Sequence, residues 1–184
     1  MMHTFDHIFI EWIAFEKLRL YIEICPGEIC GIGLVSKGDG VPVIENLLLV
    51  HQEASLWEAK LDTRALFNVL EKAIKDGIDP WQIRVWWHSH AIWDLSWSDI
   101  DESTIDAFPV DWLISIVGNK KGEYLARIDW KKPFRKTIFD VRLIGVGQRD
   151  FNIDLLRKEI MKDINRKVLY IYPHDGRFET LWWG

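Results

Sequence analysis

Strand-like and helix-like runs interleave along this chain, and that order restricts it to helices packed on one sheet. Residues 8–13 form an apolar run, after which Phe15, Leu18, Ile22 and Cys25 recur at spacings of three and four until Pro26-Gly27. A continuous apolar run suits a buried strand, and the 3–4 spacing suits a helix with one buried face. Residues 28–36 read as a second buried strand, 37–40 as a turn and 41–51 as a third strand. The clearest helix spans 62–75, with Asp62 as its cap, a stripe of Leu66, Leu70 and Ile74, and Gly77 beyond its end. A strand at 83–88 follows the Asp79-Pro80 break. Then come a loop at 91–98, a short helix at 99–107 and strands at 112–117, 124–130 and 137–144. A last helix at 151–166 carries Ile153, Leu156, Ile160 and Ile164 on one face, and the tail reads as strand, turn at His174-Asp175-Gly176, and strand. The fold class expected is α/β (α+β), with a single central mixed β-sheet flanked by helices.

Size and charge narrow the functions. A chain of 184 residues makes one domain that can bury a core without disulfides. The net charge of −5 argues against nucleic acid as a partner, since phosphate binding wants a basic face. No run of 18 apolar residues spans a membrane, and the start lacks the basic and apolar segments of an export signal. Cys25 and Cys30 are therefore expected to be reduced thiols in a cytoplasmic protein. The eight basic residues between 119 and 143 read as solvated hairpin edges.

The chemistry concentrates in one segment. His88 and His90 lie two apart at a strand end, so period-two alternation puts both imidazoles on one face. Asp101 follows across a loop long enough to fold back. Two imidazoles and a carboxylate can hold one metal ion and leave a fourth position for water. Taken singly these signals are weak: a lone His-x-His is common, and Ser98-x-x-Asp101 is also a helix-capping box. Trp86, Trp87, Trp93 and Trp97 crowd the same stretch of a chain with 11 tryptophans. Alternation puts one of Trp86 and Trp87 under the histidines and the other on the opposite face, while Trp93 and Trp97 could wall a groove.

Together the residues form a larger pattern. His88-Ser89-His90, seven residues, Ser98, two residues and Asp101 resembles the motif of the JAMM (MPN-plus, JAB) zinc metalloproteases. Glu28, in Pro26-Gly27-Glu28-Ile29-Cys30-Gly31, resembles the upstream glutamate of that family. The resemblance covers roughly residues 8–145, so residues 1–145 would be the catalytic domain, and 146–184 a C-terminal helix and strand extension packed on it. It departs from the family at Ala91, where many members have proline, and the Trp-rich surroundings look like a standalone bacterial or viral group.

The resemblance implies a JAB/MPN-like (cytidine-deaminase-like) fold. It implies zinc held by His88, His90 and Asp101, with Glu28 moving protons and Ser98 donating to the oxyanion. Glu23, on the first helix, is the rival base. The activity implied is hydrolysis of peptide or isopeptide bonds after the C-terminal Gly of ubiquitin or a ubiquitin-like protein. The other reading is a non-catalytic MPN-type scaffold module. The short link at 107–112 leaves little room for the insertion that eukaryotic members use to hold a second ubiquitin, which leans toward trimming or a simpler deconjugase. Asp94, Asp99, Glu102 and Asp106 are expected to put negative charge near the site, suited to a basic tail.

Overall fold

The computed structural model describes residues 7–37, 41–91, 94–174 and 177–181. The turns expected at 37–40 and 174–176, and Trp93, lie wholly or partly outside the described residues. Strand β1 (His7–Glu11) runs directly into helix α1 (Trp12–Ile24), followed by β2 (Cys30–Val35) and β3 (Val43–Leu49). A short hairpin of β4 (Gln52–Ala54) and β5 (Ala59–Leu61) precedes α2 (Thr63–Lys75). Next come β6 (Ile83–Ser89), α3 (Asp99–Ala107), β7 (Trp112–Gly118), β8 (Tyr124–Trp130), β9 (Lys136–Ile138) and β10 (Arg142–Val146). Helix α4 (Ile153–Lys167), β11 (Val168–His174) and β12 (Arg177–Leu181) complete the described chain.

Eight strands make a mixed sheet in the order β10-β1-β3-β2-β6-β7-β8-β9. In it β6 pairs parallel with β7 and antiparallel with β2, with Cys30 opposite His88. A smaller sheet, β12-β11-β4-β5, is built when the C-terminal β11 pairs parallel with β4. The fold is thus α+β: a large mixed sheet with four helices among the described residues.

The main core lies between the large sheet, α1 and α4. Helix α1 buries Ala14, Leu18, Leu20, Tyr21 and Ile22, more than the one stripe its periodicity predicted, and it packs on both the sheet and α4. Trp87 is fully buried here, stacked on Tyr21 at 5.3 Å, and its Nε1 donates to the Ile32 carbonyl at 3.1 Å. Leu66 and Leu70 of α2 pack against the sheet with Ile32 and Val50. Ile74, expected on the same stripe, is 50% exposed, and Ala73 is buried instead. Ile74 still lines one apolar groove with Leu66 and Leu70, at its exposed end. Asp62 caps α2 as expected, its Oδ1 accepting from the Arg64 N–H at 2.9 Å.

Three expected strands are corrected. The strand of 41–51 ends at Leu49, because the chain leaves the large sheet to form the β4–β5 hairpin, which carries no apolar alternation to announce it. The strand of 137–144 is two strands, divided where Asp140 takes a positive φ of 54°. The second crosses to the far edge and pairs parallel with β1. The strand of 28–36 starts only at Cys30, leaving Glu28 in the extended segment before it. Cys25 and Cys30 are buried and unbridged.

Candidate metal centre

Strand β6 ends at the site. Its alternation sends Trp87 into the main core and Trp86 and His88 to the opposite face, where the two rings stack at 4.3 Å. His90 continues on that face, one residue past the strand. Its Nε2 is 3.3 Å from the Nε2 of His88, and the Asp101 carboxylate meets them from the first turn of α3, with Oδ1 3.1 Å from His88 Nε2. The three ligand atoms lie within 4.8 Å of one another, so this group can hold a metal ion.

Ser98 fixes the carboxylate. It is the N-cap of α3 in a reciprocal capping box: its Oγ accepts from the Asp101 N–H at 3.2 Å, and its own N–H donates to Asp101 Oδ2 at 2.8 Å. The Ser98 hydroxyl also donates to Oδ2, at 2.8 Å. A serine hydroxyl has one hydrogen, and here it is given to Asp101 Oδ2, which leaves Oδ1 to His88, while His90 Nε2 lies 3.7 Å from Oδ2. Donation to an oxyanion, the role the family pattern implies, requires that hydroxyl to rotate away from Oδ2.

The electrostatics suit a metal. Burial opposes charge on Asp101, but hydrogen bonding to His88, to His90 and from the Ser98 N–H outweighs it and holds the carboxyl well below its usual range. Burial lowers His88 despite Asp101, which keeps the imidazole in the neutral form that ligates metal. The hydrogen bond with Asp101 raises His90 against the opposing effect of burial. The other ring nitrogen of His90, Nδ1, faces the Asp94 carbonyl at 3.4 Å, an outer partner that would leave Nε2 unprotonated for a metal. His88 Nδ1 is buried with no hydrogen-bond partner among the described residues.

Glu28 reaches the same cleft from the other side. It lines, with His88, His90, Asp101, Glu58 and Leu61, an open cavity of about 550 Å³. Burial pushes its carboxyl up from 4.5 to about 7, with His90 opposing and the negative charges of Asp101 and Glu58 adding to the rise. Two tethers position it. The Glu28 N–H donates to the Ser55 carbonyl at 2.8 Å, and the neighbouring Ile29 exchanges hydrogen bonds with Ser89: N–H to Oγ at 3.0 Å and carbonyl from N–H at 2.8 Å. Ser89, between the two histidines in sequence, thus joins the Glu28 segment to the histidine strand. Gly27 is needed for the close approach, because a Cβ there would sit 2.2 Å from the Ser55 carbonyl oxygen and 2.4 Å from the Tyr170 ring. Neither role was visible in the sequence. The rival, Glu23, is outside the cleft: it is exposed and paired with Arg19 and Arg157 on the α1–α4 side.

Other expectations change. Ala91 has a φ of 42°, which a proline ring cannot adopt, so the departure from the family pattern accompanies a different path of the chain after His90. Three of the four acids expected to charge the site are paired with bases: Asp94 with Lys121 at 2.7 Å, Glu102 with Arg127, and Asp106 with Arg135 at 3.2 Å. Of the four, Asp94 does line the cleft, and the other carboxylates there beside the ligands are Glu28 and Glu58. The basic run after the site is not all solvated edge. Arg127 is buried, and Lys131 Nζ donates to the carbonyls of Ile105 and Phe108 at the end of α3. Trp97 is half-buried against His88, with ring centroids 5.9 Å apart, so it packs beneath the site rather than standing free as a wall.

Fold and site together define an α+β domain with a buried His-His-Asp group able to bind a metal. No protein-family model matches the chain, and no curated protein matches it in sequence. Among solved structures, it is similar to the solution structure of protein DSY2949 from Desulfitobacterium hafniense. The TM-score is 0.56 at 16% identity, over 79% of this chain and 97% of that one. That likeness is one of backbone architecture. No described helix is long and apolar enough to cross a membrane.

Proposed function

We propose that this chain is a zinc-dependent metallopeptidase of JAMM type, cleaving peptide or isopeptide bonds after the C-terminal Gly of a ubiquitin-like protein. The observation that carries the reading is the meeting of His88, His90 and Asp101 opposite Glu28 in one cleft, from three separated segments of the sequence. The donor set fits zinc. Tetrahedral bonds of about 2.0–2.1 Å set neighbouring ligand atoms roughly 3.3–3.4 Å apart. The two imidazole nitrogens are separated by 3.3 Å, His88 Nε2 and Asp101 Oδ1 by 3.1 Å, and His90 Nε2 and Asp101 Oδ2 by 3.7 Å, a set that a small adjustment of the carboxylate brings to that spacing.

His88, His90 and Asp101 would hold the zinc, which when bound would supply Lewis acidity to activate water and polarise a carbonyl. Glu28 supplies the proton traffic: its carboxylate accepts a proton from the attacking water and hands it to the leaving amine. Its elevated pKa makes it a better base than an ordinary glutamate, and a nearby dication would draw that value down. Asp101, held by Ser98, and His90, held by the Asp94 carbonyl, keep their ligating atoms aimed without further ordering.

The shape and lining of the groove support this substrate class. Strand β5 ends the smaller sheet, and its residues Ala59, Lys60 and Leu61 line the cleft. An extended peptide can add to such an edge through main-chain hydrogen bonds. Small residues next to the cut bond let it approach the crowded floor made by His88 and Trp86. Glu58 and Glu28 favour basic residues on that tail.

The test is turnover of matched ubiquitin-like substrates whose tails end in Gly-Gly or in Ala-Leu. Cleavage of the Gly-Gly substrate, lost with a chelator and restored by zinc, is the result expected. Equal cleavage of both tails removes the groove argument, and a zinc-loaded protein that cleaves neither is a scaffold module.

A further inference from the structure

Arg127 lies on β8, away from the ligands, yet only 2% of it reaches solvent. Burying a guanidinium is costly unless its donors are satisfied and its faces covered. Both conditions are met. It forms a fork on the Glu102 carboxylate, with Nη2 2.8 Å from Oε2 and Nη1 on Oε1. A second fork takes Asp129, through Nε at 2.8 Å and Nη2 at 2.9 Å, and Thr137 Oγ1 donates to Asp129 Oδ1 at 2.7 Å. Its faces meet the rings of Trp97 at 5.0 Å and Phe139 at 5.1 Å.

These partners bracket the site. Trp97 immediately precedes Ser98, and Glu102 immediately follows Asp101. Trp97 also packs on the His88 ring. One side chain therefore grips both ends of the 97–102 segment, inside which Ser98 orients Asp101. We propose that Arg127 is a positioning residue for the metal centre: it holds the Trp97–Glu102 segment so that Asp101 and His88 keep their ligating geometry before a metal arrives. The inference rests on the metal assignment. Lysine could not replace arginine here, because it offers neither the two-sided fork nor the planar face.

The readout is zinc affinity, measured by chelator competition on the full chain, with thermal stability of the zinc-free protein recorded alongside. Glu102→Gln removes one arm of the fork at a half-exposed carboxylate, so the variant is expected to fold. It should weaken zinc binding about tenfold, and Arg127→Lys by about ten- to a hundredfold, the range found when outer partners of metal ligands are removed. Arg135→Ala is the control. It breaks the exposed Arg135–Asp106 pair, which also ties α3 to the segment before β9, and should leave zinc affinity within about twofold of wild type. Unchanged affinity in Glu102→Gln overturns the inference, and so does an equal loss in Arg135→Ala, which would reduce Arg127 to a general tether of α3. A wild-type chain that binds no zinc overturns the metal assignment itself, and the inference with it.

Discussion

Replacing Glu28 by Gln separates what the carboxylate does for catalysis from what it costs the fold. In the zinc-free chain burial raises the Glu28 pKa from 4.5 to about 7, so the folded state prefers the carboxyl protonated. The sign follows from linkage: a raised folded-state pKa contributes stability that is complete below about 4.5 and is lost as pH climbs through about 7. A displacement of that size corresponds to at most roughly 3 kcal/mol. The cleft is open on one side, and screening by water reduces this to about 1–2 kcal/mol. Glutamine keeps the shape and carries no charge. The zinc-free Glu28→Gln protein should therefore melt about 3–6 °C above wild type at pH 8 and at the same temperature at pH 4. The difference between the two curves reports Glu28 together with His90, whose protonated form its charge favours. Zinc content should be unchanged, since no ligand is removed, while hydrolysis of a Gly-Gly-linked substrate should fall by about 10²–10⁴-fold. A melting difference that does not depend on pH would refute the burial argument, and near-wild-type turnover would remove Glu28 as the base.

Further expectations follow from the same geometry. The double substitution His88→Ala, His90→Ala should abolish stoichiometric metal binding by elemental analysis, and retained metal would overturn the ligand assignment. Ser98→Ala loses both the α3 cap and the hydrogen bond to Asp101 Oδ2; it should cost about 1 kcal/mol in a denaturant melt and weaken zinc binding as well. If affinity is intact and only kcat falls, the serine serves the oxyanion instead. Gly27→Ala drives a Cβ into the Ser55 carbonyl and the Tyr170 ring, so it should destabilise by about 1–3 kcal/mol and lower activity at constant metal content by shifting Glu28. Trp87→Ala removes a fully buried ring that stacks on Tyr21, and should cost about 3–5 kcal/mol in the same melt.

The sequence by itself determined the elements whose periodicity is long and clean. Helices α1, α2 and α4 and strands β6, β7 and β8 lie close to where the apolar pattern put them, because the helices repeat apolar residues every three or four positions and the strands are short apolar-rich runs between breaks. His88 and His90 on one face, with Trp86 and Trp87 on opposite faces, follow from two-residue alternation, and the structure puts Trp86 with the histidines. The capping role of Ser98 was legible for a similar reason, since a capping box is a local contact at fixed spacing.

Tertiary structure decided the rest. Nothing within residues 41–61 signals that the chain leaves the large sheet after Leu49, because β4 and β5 are short and β4 gains its partner from β11, more than a hundred residues later. The division of β9 from β10 likewise depends on an open edge beside β1 at the far side of the sheet. Charge pairing was equally hidden. Glu102 and Asp106 look like free acids beside the site until Arg127 and Arg135 arrive from β8 and the segment before β9. Spacing is a property of neighbours in the chain, so it reveals faces, caps and local motifs. The depth at which an arginine is buried, or the raised pKa of Glu28, depends on which distant segments close over it, and only the assembled fold contains that information.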